Sequence, residues 1–343
     1  MRQRFGMGKS TFFSTERLYC FGKKGKNSGL PKPIPTEPRP TPGVTTALQI
    51  LPSEVLLKPG QKAKFTVRGI DANGLVTEKF DSKQAKWTRY IPPTARVKSE
   101  LNANVNENGE LVASDSLIPS AGAFLAEIGK LRGTMRGRIL PAPPQKEDFE
   151  AFKIDTKHAT EPNTMFAYPP LPWIGARFKF EVRELEGQKV FAKTLDNIFF
   201  QRATVFIGNA NEKNYTIEAD VRMDGNRRTI SSVGLINQRY LITMEGNAQT
   251  LQISSNQERI RVTVPFKIAP KAWYHLKTRV DVAKDGSGVV RAKAWAKGEA
   301  EPSGWNIEVP HKSAHRNGSP GLFGFSPQSL FRCYIDNIAI TPN

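Results

Sequence analysis

The stretch Tyr215-Thr-Ile-Glu-Ala-Asp-Val-Arg222 alternates apolar and polar side chains without a break. Successive side chains of a β-strand point to opposite faces, so Tyr215, Ile217, Ala219 and Val221 line one face and Thr216, Glu218, Asp220 and Arg222 the other. The same period of two recurs in Phe178-Lys-Phe-Glu-Val-Arg183, Tyr240-Leu-Ile-Thr-Met244, Leu251-Gln-Ile-Ser254, Ile260-Arg-Val-Thr-Val264, Trp273-Tyr-His-Leu-Lys-Thr-Arg-Val280, residues 289–295 and Tyr334-Ile-Asp-Asn-Ile-Ala-Ile340. Turn compositions such as Asp224-Gly-Asn226 and Asp285-Gly-Ser-Gly288 separate these runs. No segment keeps a period of 3.6 for three turns. Residues 149–343 therefore read as an all-β sandwich of ten or more strands.

Working upstream, residues 45–142 show shorter alternating pieces. Ala63, Phe65 and Val67 share one face, and Trp87 sits in another short strand. Asp71-Ala-Asn-Gly74 and Asn106-Glu-Asn-Gly109 are turns by composition, Asn-Gly being the strongest short hairpin signal. Residues 121–128 and 134–140 supply the last strands, and Pro141, Pro143 and Pro144 close the unit. Roughly seven short strands with regular turns predict an immunoglobulin-like sandwich. Six prolines at near-alternate spacing, Pro31 to Pro42, make residues 26–44 a stiff, extended spacer. Before it, residues 11–22 place two apolar pieces around Ser14-Thr-Glu-Arg17, a hairpin pattern. A lone hairpin is marginally stable, so residues 1–25 are expected to complete a sheet lying mostly upstream of this sequence.

Of 343 residues, 50 are Lys or Arg against 32 Asp or Glu, a net charge of +18. The surplus divides into +7 over residues 1–45, +5 over 46–142 and +6 over 143–343. A nucleic-acid binder more often concentrates its basic residues on one element interleaved with aromatics, so no specific nucleic-acid partner is expected. The Lys23-Lys-Gly-Lys26 cluster beside the prolines reads as a solvated linker. Apolar residues, 38% of the chain, suffice for real cores. No run of 18 apolar residues crosses a membrane as a helix, and the basic start lacks the apolar stretch of a secretory signal. Two cysteines, Cys20 and Cys333, exclude a disulfide scaffold and a cysteine-built zinc site, and both read as buried thiols.

Three resemblances rest on residues. Through Val233-Gly-Leu-Ile-Asn-Gln-Arg-Tyr240, Trp273-Tyr-His-Leu-Lys277, Ala294-Trp-Ala-Lys-Gly-Glu-Ala-Glu-Pro-Ser-Gly-Trp305, Gly318-Ser-Pro-Gly-Leu-Phe-Gly324 and Tyr334-Ile-Asp-Asn-Ile338, residues 149–343 resemble concanavalin A-like, or laminin-G-like, jelly-roll sandwiches. They look closest to the C-terminal module of bacterial proteins bearing quinoprotein-type (PQQ-like) propeller repeats. Through Leu57-Lys-Pro-Gly-Gln-Lys-Ala-Lys-Phe65 and Asp71-Ala-Asn-Gly74, residues 45–142 resemble bacterial Ig-like repeats. Arg17-Leu-Tyr-Cys-Phe-Gly22 is similar to the closing strand of a propeller blade. The resemblance implies the C-terminal part of a modular periplasmic, envelope or secreted protein, with an upstream propeller domain in cis. It does not imply that a quinone binds here, and no cofactor or metal is expected.

Several motifs bear on chemistry. Gly8-Lys-Ser-Thr11 resembles the end of a phosphate-binding loop, but Gln3 stands where its first glycine belongs and no helix pattern follows. Glu218 and Asp220 point the same way and resemble the start of the E-x-D-x-x-E motif of laminarinase-like sandwiches; Met223 stands where the acid would be. His311 and His315 have metal-ligand spacing only on a helix, and their setting is a loop; His275 reads as an ordinary strand residue. Asp336 offers oxygen for calcium, but one Asp is too few. Trp295 and Trp305, flanking Gly298-Glu-Ala-Glu-Pro302, and the pair Arg239-Tyr240 are the candidate ligand-binding residues, since aromatic faces stack on sugar rings. The expected function is non-catalytic binding or presentation, with a glycan as ligand. Glycan hydrolysis on the larger sandwich, or a purely structural spacer for the propeller, are the alternatives.

Overall fold

The computed structural model describes residues 40–195, 198–257 and 259–343 in full, together with the backbone of three strands near the N-terminus. The chain divides into two compact units, residues 1–41 and 42–343. In the first, β1 (Arg4–Gly6), β2 (Lys9–Phe13) and β3 (Leu18–Gly22) form an antiparallel sheet in that order. The hairpin pattern of residues 11–22 becomes the pair β2–β3, with Phe13 opposite Leu18. Lys9, Ser10 and Thr11 lie in β2, in a strand rather than at the start of a helix. The proline spacer and the Cys20 side chain lie outside the described residues, apart from Pro40 and the residues after it.

Among the described residues the regular elements of the second unit are strands and short 3-10 turns, packed around two large apolar cores, with a small cluster of Val190, Ala192 and Tyr334 besides. Around the smaller core lie β4 (Ala47–Leu51), β5 (Glu54–Leu57), β6 (Lys62–Ala63), β7 (Thr66–Ile70), β8 (Val76–Phe80), β9 (Lys86–Tyr90), β10 (Ala103–Val105), β11 (Leu111–Ala113), β12 (Ser120–Ile128) and β13 (Leu131–Ile139). Their sheets run β4-β7-β8, β5-β13-β12-β9 and β6-β11-β10, with β5 parallel to β13. Leu48, Ile50, Phe65, Val67, Leu111, Phe124 and Met135 fill the space between them. Phe65 and Val67 point inward as the alternation predicts, while Lys64 and Thr66 face solvent. Both Asn-Gly sites are turns. Asp71 Oδ1 accepts the N–H groups of Asn73 and Leu75 at 2.9 Å, and Asn106 Oδ1 those of Asn108 and Glu110 at 3.0 Å. Gly74 (φ +80) and Gly109 (φ +69) then take the left-handed conformation that a Cβ would oppose.

The larger core lies between two sheets made from β14 (Gln145–Glu147), β17 (Phe180–Leu185), β18 (Gln188–Lys193), β19 (Arg202–Phe206), β20 (Tyr215–Met223), β21 (Ser232–Asn237), β22 (Tyr240–Glu245), β23 (Thr250–Ser255), β24 (Ile260–Pro265), β25 (Trp273–Val282), β26 (Gly288–Ala296), β27 (Ile307–His311), β28 (Gly321–Phe325) and β29 (Cys333–Pro342); β15 (Thr156–Lys157) and β16 (Met165–Phe166) form a separate ribbon. One sheet has eight strands in the order β17-β18-β29-β20-β25-β26-β27, with β14 also pairing to β29. The other has six, β19-β28-β21-β22-β23-β24. Val233, Leu235, Ile242, Met244, Leu251 and Ile253 of the second sheet meet Ile217, Ala219, Val221, Leu276, Val290 and Ile335 of the first. At one end Phe180, Phe191 and Phe149 stack in sequence at 4.7 and 5.3 Å, with Trp173 edge-on to the last two.

The strand expected from Phe178 begins at Phe180; Phe178 itself is exposed with φ +64. Cys333 is a buried free thiol, as its apolar surroundings predict, and burial pushes its pKa up to about 12. The two cores are joined closely. Asn209 Nδ2 donates to Leu140 O (3.1 Å), Lys58 pairs with Glu212 (2.7 Å), and Leu56 packs on the larger core. No helix among the described residues is long and apolar enough to cross a membrane.

Candidate functional site

The outer face of the eight-stranded sheet carries three rows of side chains set by strand register. Asp336, Asp220, His275 and Trp295 lie opposite one another on β29, β20, β25 and β26. Glu218, Lys277 and Lys293 form the row to one side. Tyr334, Arg222 and Trp273 form the row to the other, and Lys297 follows because its N–H donates to Trp273 O (3.0 Å). Directly opposed residues on one face stand close enough to interact, so register alone assembles this group.

Both ring nitrogens of His275 face carboxylates. Nδ1 lies 2.8 Å from Asp220 Oδ1 and Nε2 3.5 Å from Glu218 Oε2. Only the imidazolium donates from both nitrogens. Burial opposes charging the ring, but the hydrogen bonds to Asp220 and Glu218 outweigh it and hold the pKa at about 9. The His275 hydrogen bond, with help from Lys277 at 3.0 Å, draws Glu218 down to about 2 against the opposing effect of burial. Burial raises Asp220, yet His275, Lys297 (2.7 Å) and Asn337 (2.8 Å) together bring it to about 2. Asp336, buried behind Asp220, goes the other way: burial lifts it to about 6. Lys277 and Lys293 share Glu301 at 3.1 and 2.7 Å, and Lys293 also donates to Pro302 O (2.7 Å). These bonds pin the loop between β26 and β27 over the face.

That loop carries Trp305. Lys293 Nζ lies 4.8 Å from the Trp305 ring centre and 5.8 Å from that of Trp295, and the Trp295 ring packs on His275 at 4.6 Å. The two tryptophans singled out from sequence therefore meet Glu218 and Asp220 at one place. His275 joins them, as do Trp273, Lys277, Lys297, Asp336 and Asn337. Asn337 reaches the site through a β-bulge. Glu218 opposes Ala339 but Asp220 opposes Asp336, so β29 has one extra residue there, with Asn337 at φ +48. The signal that would have found His275 is its register with Asp220, 55 residues away.

Arg239 and Tyr240 lie elsewhere. Gln238 and Arg239, both with positive φ, form the tight turn between β21 and β22, where Arg239 is exposed. Tyr240 is fully buried, and its hydroxyl bonds to His311 Nδ1 (2.6 Å) and accepts the His315 N–H (3.1 Å). His315 Nε2 in turn bonds to Ser255 Oγ (2.8 Å). His311, expected in a loop, ends β27, and it and the loop residue His315 converge on a buried tyrosine hydroxyl, which fastens residues 311–315 to the sandwich.

Among the described residues, His158, Glu161 and Glu181 bring their ligand atoms within 4.8 Å of one another, a spacing that suits a metal. Arg183 holds both carboxylates, Glu161 at 2.6 Å and Glu181 at 2.8 Å, and Arg332 also binds Glu161. Two guanidinium charges already neutralise this group, and it reads as a buried ion cluster.

No family model matches the chain, and no curated protein does. Solved structures similar to it include a marine alginate lyase from Aplysia kurodai, 10% identical, covering 48% of this chain and 87% of that one with a TM-score of 0.35. An endo-β-1,4-glucuronan lyase from the fungus Trichoderma reesei is 12% identical, covering 58% and 95% with a TM-score of 0.34. The metal-free carbohydrate recognition domain of Emp46p is 10% identical, covering 49% and 87% with a TM-score of 0.35. Likenesses this remote leave the function to the chain's own residues.

Proposed function

We propose that the outer face of the eight-stranded sheet binds carbohydrate without hydrolysing it. One observation carries the reading: half-buried Trp273, Trp295 and Trp305 border a floor where fixed donors and acceptors, His275, Lys277, Glu218 and Glu301, stand side by side. Sugar rings present C–H faces that pack on indole and hydroxyls that both donate and accept, which suits such a floor. Glycosidic hydrolysis needs a carboxylic acid to protonate the leaving oxygen. Glu218 and Asp220, both held at about 2, have no proton to give near neutral pH. Glycan-array screening of the full chain, followed by calorimetry, tests the proposal. Trp305→Ala is expected to weaken binding, whereas no binding to any glycan would favour the spacer reading.

Hydrolysis has one observation in its favour. Asp336, at about 6, is a protonatable carboxyl opposite an ionised Asp220. Release of reducing sugar that disappears in Glu218→Gln would establish that reading instead.

We further propose that the smaller sandwich is an Ig-like module and the larger a concanavalin A-like one. In this reading β2–β3 closes a quinoprotein-type propeller blade of an envelope or secreted protein. The sequence stretches that carry each resemblance support this, together with two cores that each lie between sheets of their own. Propeller repeats and a signal peptide in the upstream coding sequence are expected. An in-frame stop just before Met1 would oppose it.

A further inference from the structure

Three segments meet at one end of the larger sandwich: residues 177–179, 198–202 and 325–332. Ser326 N–H donates to Gln201 O (2.9 Å) and Gln328 N–H to Gln201 Oε1 (2.8 Å). Thr194 Oγ1 donates to Phe178 O (3.1 Å), and Lys179 Nζ lies 5.7 Å from the Phe200 ring centre. The end they build is unusually apolar for a surface: Phe178 is 62% exposed, Ile198 57%, Phe199 89% and Leu330 55%. Phe178 (φ +64), Gln328 (φ +53) and Ser329 (φ +54) all sit in the left-handed region, which bulky side chains adopt only under constraint. The charged residues of the three segments are Arg177, Lys179, Arg202 and Arg332, with no acid among them. Arg332 is engaged by Glu161, and among the described residues no ion pair holds Arg177, Lys179 or Arg202. Arg177 lies 4.9 Å from the Phe178 ring centre, and Arg202 4.9 Å from that of Phe325.

We propose that this end docks on an anionic lipid bilayer. Aromatic and aliphatic tips with cations at their base match the interface of such a bilayer, where rings sit at headgroup depth and guanidinium or ammonium groups meet lipid phosphate. A second copy of the chain fits less well, because like patches facing each other would oppose Arg177, Lys179 and Arg202 to their equivalents. The surface shares no residue with the proposed carbohydrate face, so the two readings stand independently.

The test is co-sedimentation of the full chain with phosphatidylglycerol–phosphatidylcholine vesicles and with phosphatidylcholine vesicles alone. Residues 1–45 carry 9 basic residues against 2 acidic ones and attract anionic vesicles by charge, so the informative variants remove apolar tips and keep the charges. Phe199→Ser is expected to lower partition onto anionic vesicles about tenfold, and Ile198→Ser with Phe199→Ser further, with thermal melting unchanged. Phe199→Trp is expected to show an emission blue-shift when those vesicles are added. Unchanged partition in the serine variants, or no emission shift, overturns the proposal. So does self-association of the wild-type chain that Phe199→Ser abolishes while vesicle binding persists.

Discussion

The smaller and larger sandwiches follow the same rule, apolar residues inward and charged residues outward, yet their outward charges behave differently. In these two pairs of the smaller one the cation stands in water: the Arg132 side chain, 2.9 Å from Glu127, is 73% exposed, and Lys64, beside Glu110, is 86% exposed. On the larger one the side chains of Asp220 and Lys293 are each 7% exposed, and that of His275 is 23% exposed. The cause is position in the sheet. Glu127 and Arg132 stand beside the β12–β13 turn, at the end of a four-stranded sheet, whereas Asp220 and His275 lie within β20 and β25 of the eight-stranded one, with strands on both sides. Charged side chains there are covered by their neighbours' stems and must find partners among them. The interior of a wide sheet turns ordinary strand charges into a coupled, pKa-perturbed surface.

The largest expected effect tests that difference directly. Asp220→Ala strands His275 and Lys297 without their shared acceptor, and should cost about 3 kcal/mol in urea unfolding. Glu127→Ala in the smaller sandwich should cost under about 1 kcal/mol. Equal losses would break the contrast.

pH dependence gives the next largest effect. The pKa of His275 is raised from an ordinary 6.5 to about 9, so its stabilisation is complete below about 6.5 and disappears as pH rises through 9. Glu218 and Asp220 are depressed from 4.5 and 3.8 to about 2, so theirs is present above those ordinary values and is lost as pH falls toward 2. Asp336, raised to about 6, favours the fold most below 3.8 and loses that contribution as pH passes 6. The unfolding free energy from denaturant titration should therefore fall between pH 6.5 and 9 by an amount of order 2–3 kcal/mol, and His275→Gln should flatten that slope. Glu127→Gln should leave it unchanged.

Trp305→Ala should reduce glycan affinity about tenfold, about 1.4 kcal/mol, with little change in melting temperature, because the ring stands on the loop outside the larger core. The smallest effect is Arg132→Ala, expected within about 0.5 kcal/mol of wild type by thermal melting.

Strand alternation was legible because it is local: the directions of Tyr215 through Arg222, of Phe65 and Val67, and the two Asn-Gly turns all follow from neighbouring residues. For the same reason Trp295 and Trp305 stand out singly as candidates, and Glu218 and Asp220 read as two carboxylates on one strand face. Their meeting was not legible. It depends on which strand lies beside which, and Asp220 and Asn337 are separated by 117 residues. Tyr240 shows the converse. A Tyr next to an Arg looks like a binding pair, but one residue's step in a strand reverses direction, and here it sends Tyr240 into the core while Arg239 turns the hairpin.

The bulge at Asn337 separates the history of the fold from that of the site. Without this one residue the run would read Tyr-Ile-Asp-Ile-Ala-Ile, the regular alternation of β20 opposite. Losing a residue inside a strand normally inverts every face beyond it and empties the core. At this position the inversion is already absorbed, so loss of a single codon would leave Ile335, Ile338 and Ile340 pointing inward while taking from Asp220 the amide that holds it. Chain length at residue 337 is thus a coordinate along which the binding face can change while the sandwich beneath it stays the same.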